Sequence, residues 1–427
     1  MDELPGGLTL FHYRTNQFKT ISIRVVLATG LDPERATAVA MVPAVLERGT
    51  VGYPTASSLA RRAEELYGAR LSTDVLKVGE HQLVLMGIDI VDEQRLPGVG
   101  RLVEEAVQVL TELIYRPTTR DGCFLPEYVA GEADVMARRL ESLANNKTSY
   151  ALHRCIEEMC RGEAYATYRL GSLDRLAAIE PCALYQTYQN LLAHSPLLVG
   201  LVGDQPPGRV RKLLAPMAAM VERQVVPLAP THLGKAPDVV KEVVEHQEVN
   251  QGKLVMGYRT GIALGDPRLP ALVVYSGILG GFTHSKLFLN VRERASLAYY
   301  ASSSLERHKG LLFIQSGIAP ANYQPAREII QEQVMAMAAG RISREEMEFT
   351  RAGLVSRLRQ ASDSPGDLMG FFLERIAAGS RQTLDEARTE IMQVTRDQVV
   401  EVAQSVRPDT VYFLSSKGGA SCEPSIL

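Results

Sequence analysis

The segment GGFTHSKLFLNVRERASLAY, residues 280–299, joins a glycine-containing turn to two apolar runs separated by three charged residues. The charged residues Arg292, Glu293 and Arg294 predict a helix end, and the Leu-Ala-Tyr-Tyr run that starts at Leu297 predicts a strand. Two interpretations of these residues are open. Either a surface helix leads into a core strand, or Arg292 and Tyr299 form a pair of side chains that handles a substrate.

The elements around this segment repeat an order that is also found in the first half of the chain. The hydrophobic pattern of the first half predicts a strand at 21–27, helices at 33–47 and 57–67, strands at 70–76 and 81–90, and helices at 99–114 and 126–145. The second half predicts a strand at 253–259, a helix at 268–279, strands at 297–303 and 311–318, and helices at 323–338 and 343–360.

Two pairs of segments can be superposed between the halves. LVLMGIDI at 83–90 resembles FIQSGIAP at 313–320, and MARRLESL at 136–143 resembles LVSRLRQA at 354–361. Because both pairs have similar offsets, they indicate a tandem duplication. The period is far too long for a solenoid of short repeats.

The grouping of strands and helices predicts the fold class and the domain limits. Strands and helices are grouped rather than strictly alternating, so we expect α+β: two tandem homologous domains, each an antiparallel-type sheet with helices packed on one face. The domains are predicted at 1–205 and 245–427. Residues 206–244 are rich in proline and glycine and are predicted to connect them.

Composition narrows the class of protein. The 427 residues carry a formal net charge of −3 without a long run of one sign, which gives no footprint for nucleic acid. No stretch is long and apolar enough for a membrane span, and the acidic N-terminus does not resemble a secretory signal. The five cysteines are Cys123, Cys155, Cys160, Cys182 and Cys422. Their odd number and scatter favour reduced thiols in a cytoplasmic protein.

The common catalytic motifs are absent. The sequence contains no H-E-x-x-H, no G-x-S-x-G and no phosphate-binding P-loop. No two of its eight histidines lie three or four residues apart, so a helix cannot present a local histidine pair to zinc. The nearest approach to a metal cluster is HRCIEEMC at 153–160, which we interpret as a partly buried helix with structural cysteines.

A resemblance to a known family rests on VLERGT (45–50), SSLARRAEELYGARLSTDV (57–75) and the segment at 280–299. Their order resembles the pitrilysin/insulinase family of zinc metallopeptidases, in which a helix carries H-x-x-E-H shortly before a K-G-T turn. Alignment on Gly49-Thr50 places the two zinc-binding histidines of the family on Ala40 and Ala44, and the general-base glutamate on Pro43. The third ligand of the family, a later glutamate, falls near Glu132 or Glu141.

These substitutions remove the expected metal chemistry from this chain. Alanine has no lone pair for a metal, and the side chain of proline accepts no proton, whereas catalytic zinc needs three protein ligands and a base for its water. We therefore expect no metal and no cofactor in this chain. Pro43 would also cost about 3 kcal/mol in a helix interior unless the helix begins or bends there.

The same resemblance assigns a role to the segment at 280–299. The family has L-F-x-x-V-R-E-x-x-x-L-A-Y after a glycine-rich turn, which implies that Arg292 and Tyr299 reach across a closed clamshell, of which this chain is one half, to the scissile peptide. Tyr299 would donate to the developing oxyanion, and Arg292 would hold a substrate carbonyl. The competing interpretation pairs Arg292 with a local carboxylate and buries Tyr299 in a strand.

Some bacterial members of this family are heterodimers of a zinc-bearing subunit and a subunit that supplies the Arg/Tyr pair. The resemblance implies the second kind: a cytoplasmic pseudoenzyme that acts on peptides or precursor segments only with a zinc-bearing paralogous partner. A catalytically inert structural or peptide-binding scaffold is the alternative. An enzyme of unrelated chemistry is a third hypothesis, which no nucleophile–base arrangement favours.

Overall fold

A computed structural model describes residues 1–4 and 7–416, without the side chain of Ala218. Cys422 lies outside the described residues. The described chain forms two compact units. The first comprises residues 1–141, 167–230 and 362–373, and the second comprises residues 142–166, 231–361 and 374–416 of the described chain.

Strands and helices alternate in groups, as the sequence predicts. The strands are β1 (Asp2–Leu4), β2 (Leu8–Tyr13), β3 (Thr20–Gly30), β4 (Arg70–Val78), β5 (His81–Val91), β6 (Thr119–Arg120), β7 (Cys123–Phe124), β8 (Leu197–Val202), β9 (Lys241–His246), β10 (Gly252–Arg259), β11 (Ala298–Glu306), β12 (Leu311–Ile318) and β13 (Arg407–Ser415). The first eight helices are α1 (Ala36–Leu46), α2 (Ala56–Glu65), α3 (Leu102–Tyr115), α4 (Pro126–Asn145), α5 (Lys147–Met159), α6 (Leu173–Ala177), α7 (Pro181–His194) and α8 (Pro207–Leu214). The others are α9 (Leu269–Ser276), α10 (Tyr323–Ala338), α11 (Arg344–Ala361), α12 (Pro365–Ala377), α13 (Leu384–Gln393) and α14 (Arg396–Ser405).

The two sheets share one topology. The first has the order β1-β2-β8-β3-β5-β4 and the second has the order β11-β12-β10-β13-β9. In reverse order, the second sheet matches β2-β8-β3-β5-β4 strand for strand. The parallel pairs found among the described residues, β2–β8 and β9–β13, occupy equivalent places. This repetition confirms the α+β class with two homologous sheets. It also makes the edge strands β4 and β11 equivalent.

Each sheet packs its apolar side chains against helices. In the first unit the core contains the inward residues of β3 and β5 with those of α1, α3 and α7. In the second unit the even-numbered residues of β10 join a core with α9, α10 and α14, whereas Val255 joins Phe313 and Tyr412 under α5. The sheet of the second unit is therefore covered on both faces, since alternate residues of a strand point to opposite faces.

The observed bounds agree best with the prediction where periodicity is strong. Helices α4 and α10 and strand β12 begin and end where the sequence predicts. The helix predicted at 268–279 ends earlier, at Ser276, and continues as a π-helical turn at Gly277–Gly281. A Cβ at Gly280 would lie 2.4 Å from the Ser303 nitrogen, so this turn needs glycine to approach β11.

The expectation of reduced thiols is wrong for one pair of cysteines. A disulfide joins Cys123, in the β6–β7 hairpin, to Cys182 in the first turn of α7. The residues are 59 apart in sequence, and no local pattern relates the hairpin to the helix. Cys155 and Cys160 are free and buried. The interpretation of HRCIEEMC as a structural helix is confirmed.

We predict that replacing both Cys123 and Cys182 by serine lowers the free energy of unfolding by about 2–4 kcal/mol, because the crosslink restricts the unfolded chain. Urea unfolding with and without a thiol reductant measures this. Reductant should lower the midpoint of the native chain and leave that of the double variant unchanged. If reductant changes neither midpoint, the crosslink does not contribute to stability.

Candidate functional site

The helix that aligns with the zinc motif is part of the hydrophobic core. Nine of the eleven residues of α1 are buried, including Ala40 and Pro43, and Ala44 is half-buried. A helix that is apolar on all sides is stable only when it is enclosed. Pro43 lies inside the helix rather than at its start, so α1 tolerates a missing backbone donor within its second half.

Charged residues follow directly at the end of this helix. Arg48 Nε donates to Glu132 Oε1 at 2.5 Å, and the Glu132 side chain is only 14% exposed. Glu141, the other predicted position for a third ligand, is exposed at the far end of α4. Of the two glutamates, Glu132 is therefore the one beside α1, and it is already engaged by a guanidinium.

Glu47 adds a second carboxylate to this cluster. Burial raises the pKa of the Glu47 carboxyl, and the negative charge of Glu132 raises this pKa as well. A hydrogen bond from Thr73 and the positive charge of Arg139 act in the opposite direction. The site at the end of α1 is thus an ion cluster of two carboxylates and two guanidinium groups.

The donor set does not fit a catalytic zinc. Ala40, Pro43 and Ala44 offer no metal-binding atom, and Glu132 is paired with Arg48. Among residues 1–4 and 7–416, no group of three or more His, Cys, Asp and Glu side chains could hold a metal ion. The same residues include no helix that combines the length and the apolar character needed to cross a membrane.

The turn after α1 is tightly packed. Thr50 is buried; its backbone N–H donates to the Tyr53 carbonyl at 2.8 Å, and its hydroxyl accepts from the Tyr53 N–H at 3.0 Å. A Cβ at Gly49 would lie 2.4 Å from the Pro54 oxygen. Gly49 therefore has a steric reason to be glycine, independent of any catalytic role.

The second candidate region, in the other unit, has an irregular backbone. Residues Phe288–Arg294 form a π-helical segment, and Ser296 follows with a positive φ of 53°. Between Ala298 and Tyr300 the pairing of β11 with β12 shifts, so Tyr299 is the extra residue of a β-bulge. π-helical turns, left-handed non-glycine residues and bulges concentrate at functional sites.

These irregularities expose both predicted side chains. Tyr299 is 71% exposed, which excludes its predicted alternative place in the strand core. The Arg292 guanidinium lies 4.7 Å from the centre of the Phe288 ring and its Nε is 3.6 Å from Glu293 Oε1. An exposed pair at that distance contributes little, so the cation–π contact is the stronger restraint on Arg292.

Sequence reasoning missed several parts of these two regions. Glu47 and Arg48 were visible in VLERGT as charges directly after an apolar helix, a signal for a buried ion cluster. Phe288, four residues before Arg292 on the same helical turn, was visible as a ring within reach of the guanidinium. The bulge at Tyr299 has no signal in the sequence, because it depends on pairing with β12.

Comparisons with known proteins find relatives of this chain among inactive members of a peptidase family. Residues 179–354 match the family model described as peptidase M16 inactive domain. The chain is 35% identical over 416 residues to the "Probable inactive metalloprotease YmfF" of Bacillus subtilis (strain 168), with 97% of each chain covered.

Two crystal structures share the fold. A conserved protein from Enterococcus faecalis V583 is 29% identical with a TM-score of 0.89, covering 97% of this chain and 98% of that one. A peptidase M16 inactive domain from Pseudomonas fluorescens has a TM-score of 0.79 at 16% identity, covering 98% of each chain.

We predict that Glu47→Gln stabilises the protein at neutral pH. A folded-state pKa above the ordinary 4.5 means that the folded protein favours the neutral carboxyl, so its contribution to stability is present below that value and is lost as the pH rises through the folded pKa. Glutamine stays neutral, and the variant should therefore exceed the native chain at pH 7 and match it near pH 4. Urea unfolding at both pH values measures the difference.

Glu141→Gln is the matched control for this comparison, since Glu141 is exposed on α4. It should leave the free energy of unfolding unchanged at both pH values. A Glu47→Gln variant that is less stable than the native chain at pH 7 would show that Glu47 acts as an ionised partner of Arg139.

We also predict that the purified chain holds far less than one zinc per molecule. Elemental analysis measures the metal content, and thermal unfolding with and without a chelator should give the same midpoint because α1 offers no ligand. Stoichiometric zinc whose removal lowers the midpoint would overturn the alignment of Ala40 and Ala44 with zinc ligands.

Proposed function

The chain belongs to the peptidase M16 family, and from this membership we propose that it is the zinc-free subunit of a heterodimeric metallopeptidase. The partner would be a paralogous subunit that carries H-x-x-E-H and its zinc. This chain would supply Arg292 and Tyr299 for binding the peptide and stabilising the oxyanion. By itself it would be an inactive member of the family.

One observation carries this proposal: the two donors are exposed on an irregular backbone, whereas α1 offers no metal ligand. Tyr299 keeps its hydroxyl outside the sheet because the bulge removes it from the ladder. Tyr299 is exposed and the Arg292 guanidinium lies over the Phe288 ring, so neither side chain contributes to the core of their unit. Chain folding therefore does not explain why these side chains are displayed.

The chemistry of these groups suits amide hydrolysis. A phenol and a guanidinium are strong hydrogen-bond donors, and a tetrahedral oxyanion is stabilised by donors that are already in place. The activated water would come from the partner, since α1 offers no ligand for the metal. A peptide substrate can add to an exposed edge such as β4 or β11, where backbone groups lack a second strand.

The finer organisation is part of the same proposal. We take residues 1–205 and 245–427 as the two insulinase-like domains and 206–244 as their connector. The sheets support this, because the strands of the first end at Val202 and those of the second begin at Lys241. The cytoplasmic location stays a prediction, and the disulfide between Cys123 and Cys182 is a feature more typical of oxidising compartments.

We predict that this chain alone cleaves no peptide and that activity appears when it is mixed with an H-x-x-E-H paralogue from the same genome. In the mixture, Tyr299→Phe should lower kcat by about 10²-fold and Arg292→Ala by about tenfold or more, because each removes a preorganised donor. Cleavage of a quenched fluorescent peptide measures both effects.

The chain offers matched controls for both substitutions. Tyr67 is an exposed tyrosine of the first unit, and Arg294 is an exposed arginine two residues from Arg292. Tyr67→Phe and Arg294→Ala should leave kcat unchanged. If Tyr299→Phe and Arg292→Ala also leave the activity of the mixture unchanged, the chain is a scaffold that contributes no group to catalysis.

A further inference from the structure

A surface cavity of about 420 Å³, largely open to solvent, lies in the second unit, beside the start of α5 and the turn that joins β9 to β10. This volume is in the range that holds a small ligand. Eight of its nine lining residues are of a polar or charged type, including Asn146, Lys147, Thr148, Asn250, Gln251 and Lys253. The proposed Arg/Tyr site does not use these residues.

The two lysines of this cavity have no anionic partner. In the part of the chain that the structure describes, neither Lys147 nor Lys253 forms an ion pair with a carboxylate. Burial lowers the pKa of Lys253, and no neighbouring carboxylate offsets it. Lys147 stands in the first turn of α5, where the helix dipole disfavours a cation. Both positions are electrostatically unfavourable without an anion.

Each lysine ammonium instead donates a hydrogen bond to the side-chain oxygen of a glutamine. Lys147 Nζ donates to Gln247 Oε1 at 2.7 Å, and the Gln247 amide donates in turn to Glu245 Oε1 at 2.7 Å. Glu245 also accepts from the Tyr412 hydroxyl and from Arg154. The negative charge of Glu245 is therefore used by other groups, and a glutamine separates it from Lys147.

Lys253 belongs to a row of three paired residues that crosses the strands of the sheet. Tyr300, Gly317 and Lys253 are directly paired neighbours on β11, β12 and β10. A Cβ at Gly317 would lie 2.5 Å from the Tyr300 ring, so glycine lets this ring lean across β12. The Lys253 ammonium lies 5.4 Å from the ring centre and donates to Gln251 Oε1 at 2.5 Å. An aromatic face and an amide oxygen leave its charge only partly compensated.

We propose that this cavity binds a carboxylate group of a peptide, held between Lys147 and Lys253. The exposed Glu248 also lines the cavity, so the lining carries a net charge of about +1, which suits a monoanion better than a doubly charged phosphate. Tyr300, the chain neighbour of Tyr299, contacts two residues of the cavity lining, Lys253 through its ring and Thr148 through its hydroxyl. The choice of a peptide as the carrier rests on the proposed function, whereas the binding of a carboxylate does not.

Binding to the isolated full-length chain tests this proposal by calorimetry at low ionic strength. The probes are acetyl-tetraalanine with a free C-terminus, its C-terminal amide, and the amidated peptide acetyl-Ala-Ala-Asp-Ala. The first and third distinguish a C-terminal carboxylate from a side-chain carboxylate, and inorganic phosphate is the fourth probe. Lys147→Met and Lys253→Met are compared with Lys235→Met, which removes an exposed lysine outside the cavity.

We expect at least one carboxylate peptide to bind and the uncharged amide not to bind. Each cavity variant should lose at least tenfold in affinity for the peptide, whereas Lys235→Met should not. Unfolding midpoints establish that the variants are folded, and Lys253→Met should not lower the midpoint, because Lys253 is half-buried without an anionic partner among the described residues. Any one of four results would overturn the proposal. These are no binding of either carboxylate peptide, equal binding of the amide, an equal loss of affinity in all three variants, and tighter binding of phosphate than of the peptides. Because no zinc-bearing partner is present, failure of the mixing experiment leaves this result unaffected.

Discussion

A buried ion network holds the end of the sheet that carries β11. Arg259, at the end of β10 and 5% exposed, bonds Asp409 at 2.7 Å and Glu163 at 2.6 Å, while Lys309, fully buried, contacts the same Glu163 at 2.5 Å. The ladder between β10 and β13 skips Asp409, so a second bulge turns this carboxylate toward Arg259. Removing one partner would leave a buried charge uncompensated at a cost of about 3–5 kcal/mol. Because Lys309 lies in the turn between β11 and β12, the network anchors the end of the sheet at which these two strands are joined.

The sequence predicted the regular elements well and the long-range contacts poorly. Helices such as α4 and α10 were predictable because their apolar residues recur at helical spacing. The duplicated order of elements also sufficed to predict two equivalent sheets. The clustering of residues 142–166 with the second unit was not predictable, because it depends on Glu163 meeting Arg259 across 96 residues. The same reason applies to Cys123 with Cys182 and to Arg48 with Glu132, since neither local periodicity nor spacing encodes such pairs.

The two candidate regions differ in the packing and exposure of their side chains. At α1, the positions that align with zinc ligands carry methyl groups, and packing rather than hydration determines their surroundings. Arg48 and Arg139 supply the positive charge near Glu132 and Glu47, so a cation is present beside α1 without a metal. At Phe288–Tyr299 the chain instead adopts a π-helical segment, a left-handed serine and a bulge, each of which is unfavourable relative to regular structure. Irregular backbone that leaves polar donors exposed is more easily explained by a ligand than by packing.

The bulge determines the places of two adjacent tyrosines on β11, Tyr299 and Tyr300. In a regular strand, adjacent side chains point to opposite faces, and one of two adjacent tyrosines would have to lie among the apolar residues of that face. The extra residue at 299 removes this requirement: Tyr300 keeps its place in the ladder and packs over Gly317, while Tyr299 leaves the ladder and remains in solvent. One inserted residue thus separates a ring that contacts Lys253 from a ring that can meet a substrate.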